Sequence, residues 1–169
     1  EICACLVGSE MCIRDRKQAV LHMDIPTDWE LYGDPFYWTQ ILFNLVENAL
    51  KQNTEPGLSI TVAAAKTQDA CVITVTDTGV GIPAESIPFL FNRFYRVETH
   101  HSSEIRGTGL GLSIVKRAVE AHDGAITVSS IPHRETVFTI TIPLKRFREE
   151  KRIRQLSQVS IETSANKST

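Results

Sequence analysis

"ACVITVTDTGVGIP", residues 70–83, keeps apolar residues at Cys71, Ile73 and Val75, then ends its run at Asp77 ahead of Gly79, Gly81 and Pro83. An alternation of period two reads as a half-buried strand, and the glycines and proline behind it read as the turn that stops it. Working outward, "LSITVAAA" (58–65) is a second alternating strand, joined to the first by the polar turn "KTQD" (66–69). Ahead of it lies "GDPFYWTQILFNLVENALKQN" (33–53), with Ile41, Leu42, Leu45, Val46, Ala49 and Leu50 at helical spacing. Asp34 can cap that helix, and Pro35 suits its first position because a first-turn N–H has no intrahelical partner. "KQAVLHMDIP" (17–26) reads as an opening strand. Downstream, a long connection from Gly79 to Thr108 holds one short helical stretch, Ser86 to Phe94. "GLGLSIVKRAVEAHDG" (109–124) is a second strong helix with Asp123–Gly124 as its stop, and "AITVSS" (125–130) with "ETVFTITIP" (135–143) closes the chain's patterned part as a hairpin. This order predicts an α+β domain, a mixed sheet with helices layered on one face.

The two ends lack such patterning. "LVGSEMCIRDR" (Leu6–Arg16) matches neither a strand nor a helix period and resembles one reading frame of a transposase sequencing adapter, so residues 1–16 are set aside as a non-native, adapter-derived head. Cys3, Cys5 and Cys12 leave with it, and Cys71 reads as a small buried hydrophobe. Residues 145–169 turn basic and then Ser/Thr-rich, which reads as a partly disordered tail. Between them, 17–144 is long enough for one domain with a core. A net charge of −2 gives no electrostatic case for nucleic acid or an anionic membrane, and no run in this sequence is apolar enough to span a bilayer.

Chemistry concentrates in four segments. Asn44, Asn48 and Lys51 stand at i, i+4 and i+7 on the first helix, one stripe opposite its apolar side. Two carboxamides and an ammonium so placed can offer oxygens to Mg²⁺ and a charge to phosphate, although a stripe like this is equally an ordinary solvated face. Asp77 ends its strand as an acceptor, and Gly79 and Gly81 let backbone come close to a ligand, or else simply form a turn. Gly107, Gly109 and Gly111 enter the second helix, where N–H groups without partners favour an anion. Their G-x-G-x-G spacing follows a loop and is followed by Leu112, so it is neither a dinucleotide fingerprint nor a P-loop. In "LFNRFYRV" (90–97) the aromatics suit packing, and Arg93 or Arg96 suits bidentate phosphate contact.

Taken in order, "NLVENALK", "DTGVGIP", "LFNRFYR" and "GTGLGLSIVK" resemble the N, G1, F and G2 boxes of bacterial sensor histidine kinases, a likeness that extends over about residues 17–144. The resemblance implies the Bergerat ATP-binding fold, a two-layer α/β sandwich whose mixed five-stranded sheet is covered by about three helices. It implies a site as well. Asp77 would accept from the adenine amino group, with Gly79, Gly81 and Ile82 against the base. Asn48 and Asn44 would hold Mg²⁺, Lys51 and Arg96 would neutralise phosphate charge, and Arg93 and Tyr95 would flank the nucleotide. Gly107, Thr108, Gly109, Leu110 and Gly111 would shape a lid over the phosphates, with Val97 to Arg106 as its mobile span.

The implied activity is transfer of the γ-phosphoryl group of Mg-ATP to a histidine on a dimerisation hairpin, followed by relay to a response-regulator receiver domain. The implied setting is a cytoplasmic domain of a parent chain anchored in the bacterial inner membrane, with no nucleic-acid or direct membrane contact of its own. ATP-hydrolysing relatives carry a glutamate where this chain has Asn44, and a carboxamide cannot take a proton from water at neutral pH. None of the five histidines lies in a phosphoacceptor motif. The rival readings are a nucleotide-gated binding module and an anti-sigma-type serine kinase. Departures from the family pattern fall at Gln52, Asp123 and Glu135.

Overall fold

The computed structural model describes residues 19–26, 33–53, 56–97 and 107–144. The chain runs β1 (Val20–Asp24), α1 (Pro35–Gln52), β2 (Ser59–Lys66), β3 (Ala70–Asp77), a 3₁₀ helix (Ala84–Phe89), α2 (Gly111–Glu120), β4 (Ala125–Ile131) and β5 (Glu135–Pro143). The strands form one sheet in the order β1-β2-β3-β5-β4, with β1 parallel to β2 and every other pair antiparallel. The α+β class, the mixed five-stranded sheet and three helical elements follow the sequence reading. The adapter-like head, the lid span 98–106 and the tail lie outside the described residues.

α1 begins where the sequence says it should: the Asp34 carboxylate accepts the Phe36 N–H at 2.9 Å, and Pro35 takes the first turn. Its buried stripe is Trp38, Ile41, Leu42, Leu45, Val46 and Ala49, and α2 adds Val115, Ala118 and Val119. Both stripes bury against one face of the sheet, where Ile60, Val62, Cys71, Ile73, Val75, Phe138, Ile140 and Ile142 are each at most 2% exposed. Cys71 is therefore the buried hydrophobe expected, and burial pushes its thiol pKa up. The opposite face carries a row of hydroxyls across its middle: Thr127, Thr139 and Thr74 sit side by side across three strands, with Ala63 and Asp24 continuing the row.

Three details depart from the reading. The helical stretch placed at Ser86–Phe94 is a 3₁₀ helix over Ala84–Phe89, cut short because Pro88 lies inside it and Phe94 takes a positive φ of 64°. α2 stops at Glu120, and the left-handed residue after it is Asp123 (φ 54°), not Gly124. Gly124 is needed for room, since a Cβ there would collide with Ile142 and approach the Thr141 oxygen at 2.9 Å. The first strand is also shorter than residues 17–26, spanning Val20–Asp24.

Candidate functional site

The central pairing of β3 with β5 sets Asp77 opposite Thr136 at one end of the sheet. α1 crosses above that end, so a cleft opens between its C-terminal half, the loop after β3 and the entry to α2. Of the residues singled out from the sequence, Asn44, Asn48, Lys51, Asp77, Gly81, Ile82, Tyr95, Arg96, Gly107, Thr108, Gly109 and Gly111 all line this cleft. Gly79, Arg93 and Leu110 do not. Gly79 lies behind the cleft under Asn53, Arg93 is exposed on the turn before Phe94, and Leu110 caps the start of α2.

Asp77 is 7% exposed. Its Oδ1 accepts the Gly79 N–H at 3.0 Å and the Asn53 Nδ2 at 3.5 Å. Burial nonetheless dominates and raises its pKa, with these two donors pulling partly back. On α1, the Asn44 Nδ2 donates to the Gln40 oxygen at 2.8 Å, which leaves its Oδ1 for other partners, and a Cβ on Gly111 would sit 3.3 Å from that oxygen. Lys51 pairs with Glu47 at 2.9 Å, both about half exposed, so this is a weak surface pair that an anion can displace.

The glycines serve the protein's own backbone. A side chain at Gly79 would overlap Asn53. Gly81 has φ +68°, and a Cβ there would run into the backbone of Ile131 and Pro132, the tip of the β4–β5 hairpin. That tip grips the loop elsewhere too: the His133 N–H donates to the Val80 oxygen at 2.8 Å, and the Ile82 N–H donates to the Ser130 hydroxyl at 2.9 Å. Gly81→Ala should therefore cost about 1–3 kcal/mol of stability through a strained φ and a displaced hairpin, read as a lower urea midpoint. The two flanks of residues 98–106 also touch: the Phe94 N–H donates to the Gly109 oxygen at 2.9 Å, and a Cβ on Gly109 would meet the Phe94 backbone at 2.7 Å.

Sequence reasoning missed two cleft residues. Thr136 (3% exposed) enters the sequence reading only through the glutamate before it, and Asn53 (4% exposed) only as the last residue of the helical stretch 33–53. A polar residue four positions after Ala49, in line with the apolar stripe of α1, was the available signal. Among the described residues the histidines stay away from the cleft: His22 is exposed on β1, His133 is in the hairpin turn, and His122 is buried with Nδ1 2.7 Å from the Ala118 oxygen and its ring 5.0 Å from that of Trp38, while His100 and His101 lie outside the described residues. Among the described residues no three His, Cys, Asp or Glu cluster as metal ligands, and no helix is long and apolar enough to cross a membrane.

Comparison with known proteins bears on the same span. Residues 33–146 match the model of the family described as histidine kinase-, DNA gyrase B-, and HSP90-like ATPase. The sensor histidine kinase WalK of Bacillus subtilis is 39% identical over 113 residues, 66% of this chain and 18% of the relative. The adaptive-response sensory kinase SasA of Synechococcus elongatus is 40% identical over 133 residues, 78% of this chain and 34% of the relative. The chain thus spans about a fifth to a third of these curated relatives. Among solved structures, the mycobacterial sensor histidine kinase MprB superposes with a TM-score of 0.71 at 27% identity, covering 84% of this chain and 95% of that one. The chain belongs to the histidine kinase-, DNA gyrase B-, and HSP90-like ATPase family, in its sensor histidine kinase branch.

Proposed function

We propose that this domain binds Mg-ATP in the cleft and presents the γ-phosphoryl group to a histidine on a separate phosphoacceptor hairpin of its parent kinase, for relay to a receiver domain. The observation that carries the reading is the carboxylate of Asp77, buried at the closed end of a cleft whose other end holds Asn44, Asn48, Lys51 and the glycine-rich entry to α2. The Gly79 N–H and the Asn53 Nδ2 reach only its Oδ1 and burial still dominates, so a further donor at the other oxygen is favoured, and the 6-amino group of adenine is a donor. Lys51 exchanges Glu47 for phosphate, Arg96 adds a second positive group, and the first-turn N–H groups of α2, which no side chain caps, face the same cleft.

The residues present fit a magnesium ion. Asn44 and Asn48 are hard oxygen donors on one helix face, and the bond from the Asn44 Nδ2 to Gln40 leaves its oxygen for the cation. When bound, the ion neutralises charge on the phosphate oxygens. Asn44 and Asn48 would fix where those oxygens lie, while Glu47, one residue before Asn48 and so about 100° around the helix from it, is poorly placed as a base for water. Transfer to an acceptor is thus favoured over hydrolysis. The domain sits on the cytoplasmic side of an inner-membrane parent.

Calorimetric titration of the full chain with a non-hydrolysable ATP analogue tests this. Saturable binding is expected, weaker by about tenfold or more once Mg²⁺ is chelated, the worth of one charge-assisted contact. With labelled ATP and a histidine-kinase hairpin supplied in trans, label should appear on the hairpin as an acid-labile, alkali-stable phosphoramidate. An acid-stable phosphoester would favour the serine-kinase reading, and binding without any transfer would favour a nucleotide-gated module.

A further inference from the structure

Asn53 is a buried carboxamide with three partners on three different segments. It caps the C-terminus of α1, where its Nδ2 donates to the Ala49 oxygen at 2.6 Å, and its Oδ1 accepts the Val80 N–H at 2.7 Å. Those two short bonds fix the orientation of the group. So held, its Nδ2 also points at the Asp77 Oδ1, 3.5 Å away. The space it fills is the space Gly79 leaves empty, since any Cβ there would overlap its side chain. The helix end, the carboxylate at the end of β3 and the loop over the cleft are therefore joined through one side chain.

We infer that Asn53 is a positioning residue which makes Asp77 selective for a purine carrying a 6-amino group. The inference rests on the adenine-nucleotide reading of the cleft. With the Asn53 Nδ2 and the Gly79 N–H both directed at Oδ1, the other oxygen of Asp77 is left to meet a ligand. An ionised carboxylate only accepts. A 6-amino group satisfies it, a 6-carbonyl sets two acceptors against each other, and a bare C6–H leaves it unpaired. If the carboxylate could rotate, this discrimination would blur, because water or a rotated oxygen could relieve the mismatch. Asn53 removes that freedom and, by holding Val80, fixes the loop wall at the same time. Replacement by Leu leaves the Val80 N–H without its acceptor, and replacement by Ser leaves a hydroxyl too short to span from α1 to both partners.

The test compares two magnesium-loaded ligands on the full chain by calorimetry: ATP and purine riboside triphosphate, identical except for the missing 6-amino group. The native chain is expected to prefer ATP by about tenfold or more, the cost of one unpaired buried acceptor. In Asn53→Leu the preference should shrink to within about threefold of unity, under 1 kcal/mol by the same conversion, with the ratio of the two affinities as the readout because the loop wall held through Val80 shifts for both ligands alike. Asp77→Asn should remove the preference for ATP or reverse it, because the carboxylate through which Asn53 acts is gone and an amide there meets the 6-amino group donor to donor. Should the leucine variant fail to melt cooperatively, Asn53→Ser carries the test with the same expected loss of preference. A folded Asn53 variant that keeps the native ratio, or that weakens both ligands equally, overturns the inference and leaves the adenine reading standing. A native chain that binds neither ligand, or prefers neither, overturns both.

Discussion

Asp77→Asn is expected to abolish ATP binding and, at neutral pH, to make the empty protein more stable. The first effect follows from the donors around Oδ1. The N–H of Gly79 and the Nδ2 of Asn53 both point there, so an asparagine must put its carbonyl oxygen in that place and turn its NH₂ toward the ligand. Donor then meets donor. Losing a charge-assisted contact and stranding an amino group together should weaken ATP by about a hundredfold or more. The second effect follows from the direction of the pKa shift. Burial raises the Asp77 pKa above its ordinary 3.8, so the folded state holds its proton more tightly than the unfolded chain does. The stability this provides is fully present below pH 3.8 and is lost as pH rises through the folded-state value. Above that, the ionised carboxylate is a standing cost to the empty fold, and an amide removes it. Melting curves of the ligand-free proteins should thus cross: similar in acid, with Asp77→Asn higher at pH 7 and above. Equal or lower melting at pH 7 would mean that the donors outweigh the desolvation.

Phe138→Ala should be the most damaging single truncation in the core. Phe138 lies on β5, which pairs with β3 on one side and β4 on the other, and it stands directly across from Val75 and Val128. It is 2% exposed and heads the fully buried side chains by volume. A residue at the middle of a sheet with helices above it has no neighbour free to collapse into the space it leaves. The expected loss is about 3–5 kcal/mol, read as a fall in the urea midpoint with little change in slope. A loss under about 1 kcal/mol would imply repacking of a kind that dense cores rarely permit.

Much of this fold was legible before any coordinates. α1 and α2 announce themselves through apolar spacing, a capping aspartate and a first-turn proline, while β2, β3, β4 and β5 do so through alternation. These signals are local, and so they survive without tertiary information. The pairing of β3 with β5 is not local. Nothing in either strand says that residues 59 positions apart, Asp77 and Thr136, will face each other, and that is why Thr136 escaped notice. Asn53 was missed for the same reason: its meaning lies in Asp77 and Val80, 24 and 27 residues away. The glycines were found, and the structure adds a requirement invisible in one dimension: Gly81 and Gly109 also leave room for neighbouring backbone of the protein itself. The short helical stretch is there, but its bounds shift from Ser86–Phe94 to Ala84–Phe89, with Pro88 inside it.

The threonine row across the back of the sheet bears on how this domain behaves in a crowd. Sheets that aggregate do so by stacking dry, interdigitated faces or by adding strands at an open margin. Among the described residues the middle of the outward face is a row of hydroxyls that water wets well, and one outer margin of the sheet is the short strand β1, five residues long, with Asp24 and Pro26 near its end. A row of this kind interrupts the apolar residues on the same face, so that Val20 at one margin and Ile131 at the other stand apart instead of forming one dry surface on which another sheet could settle.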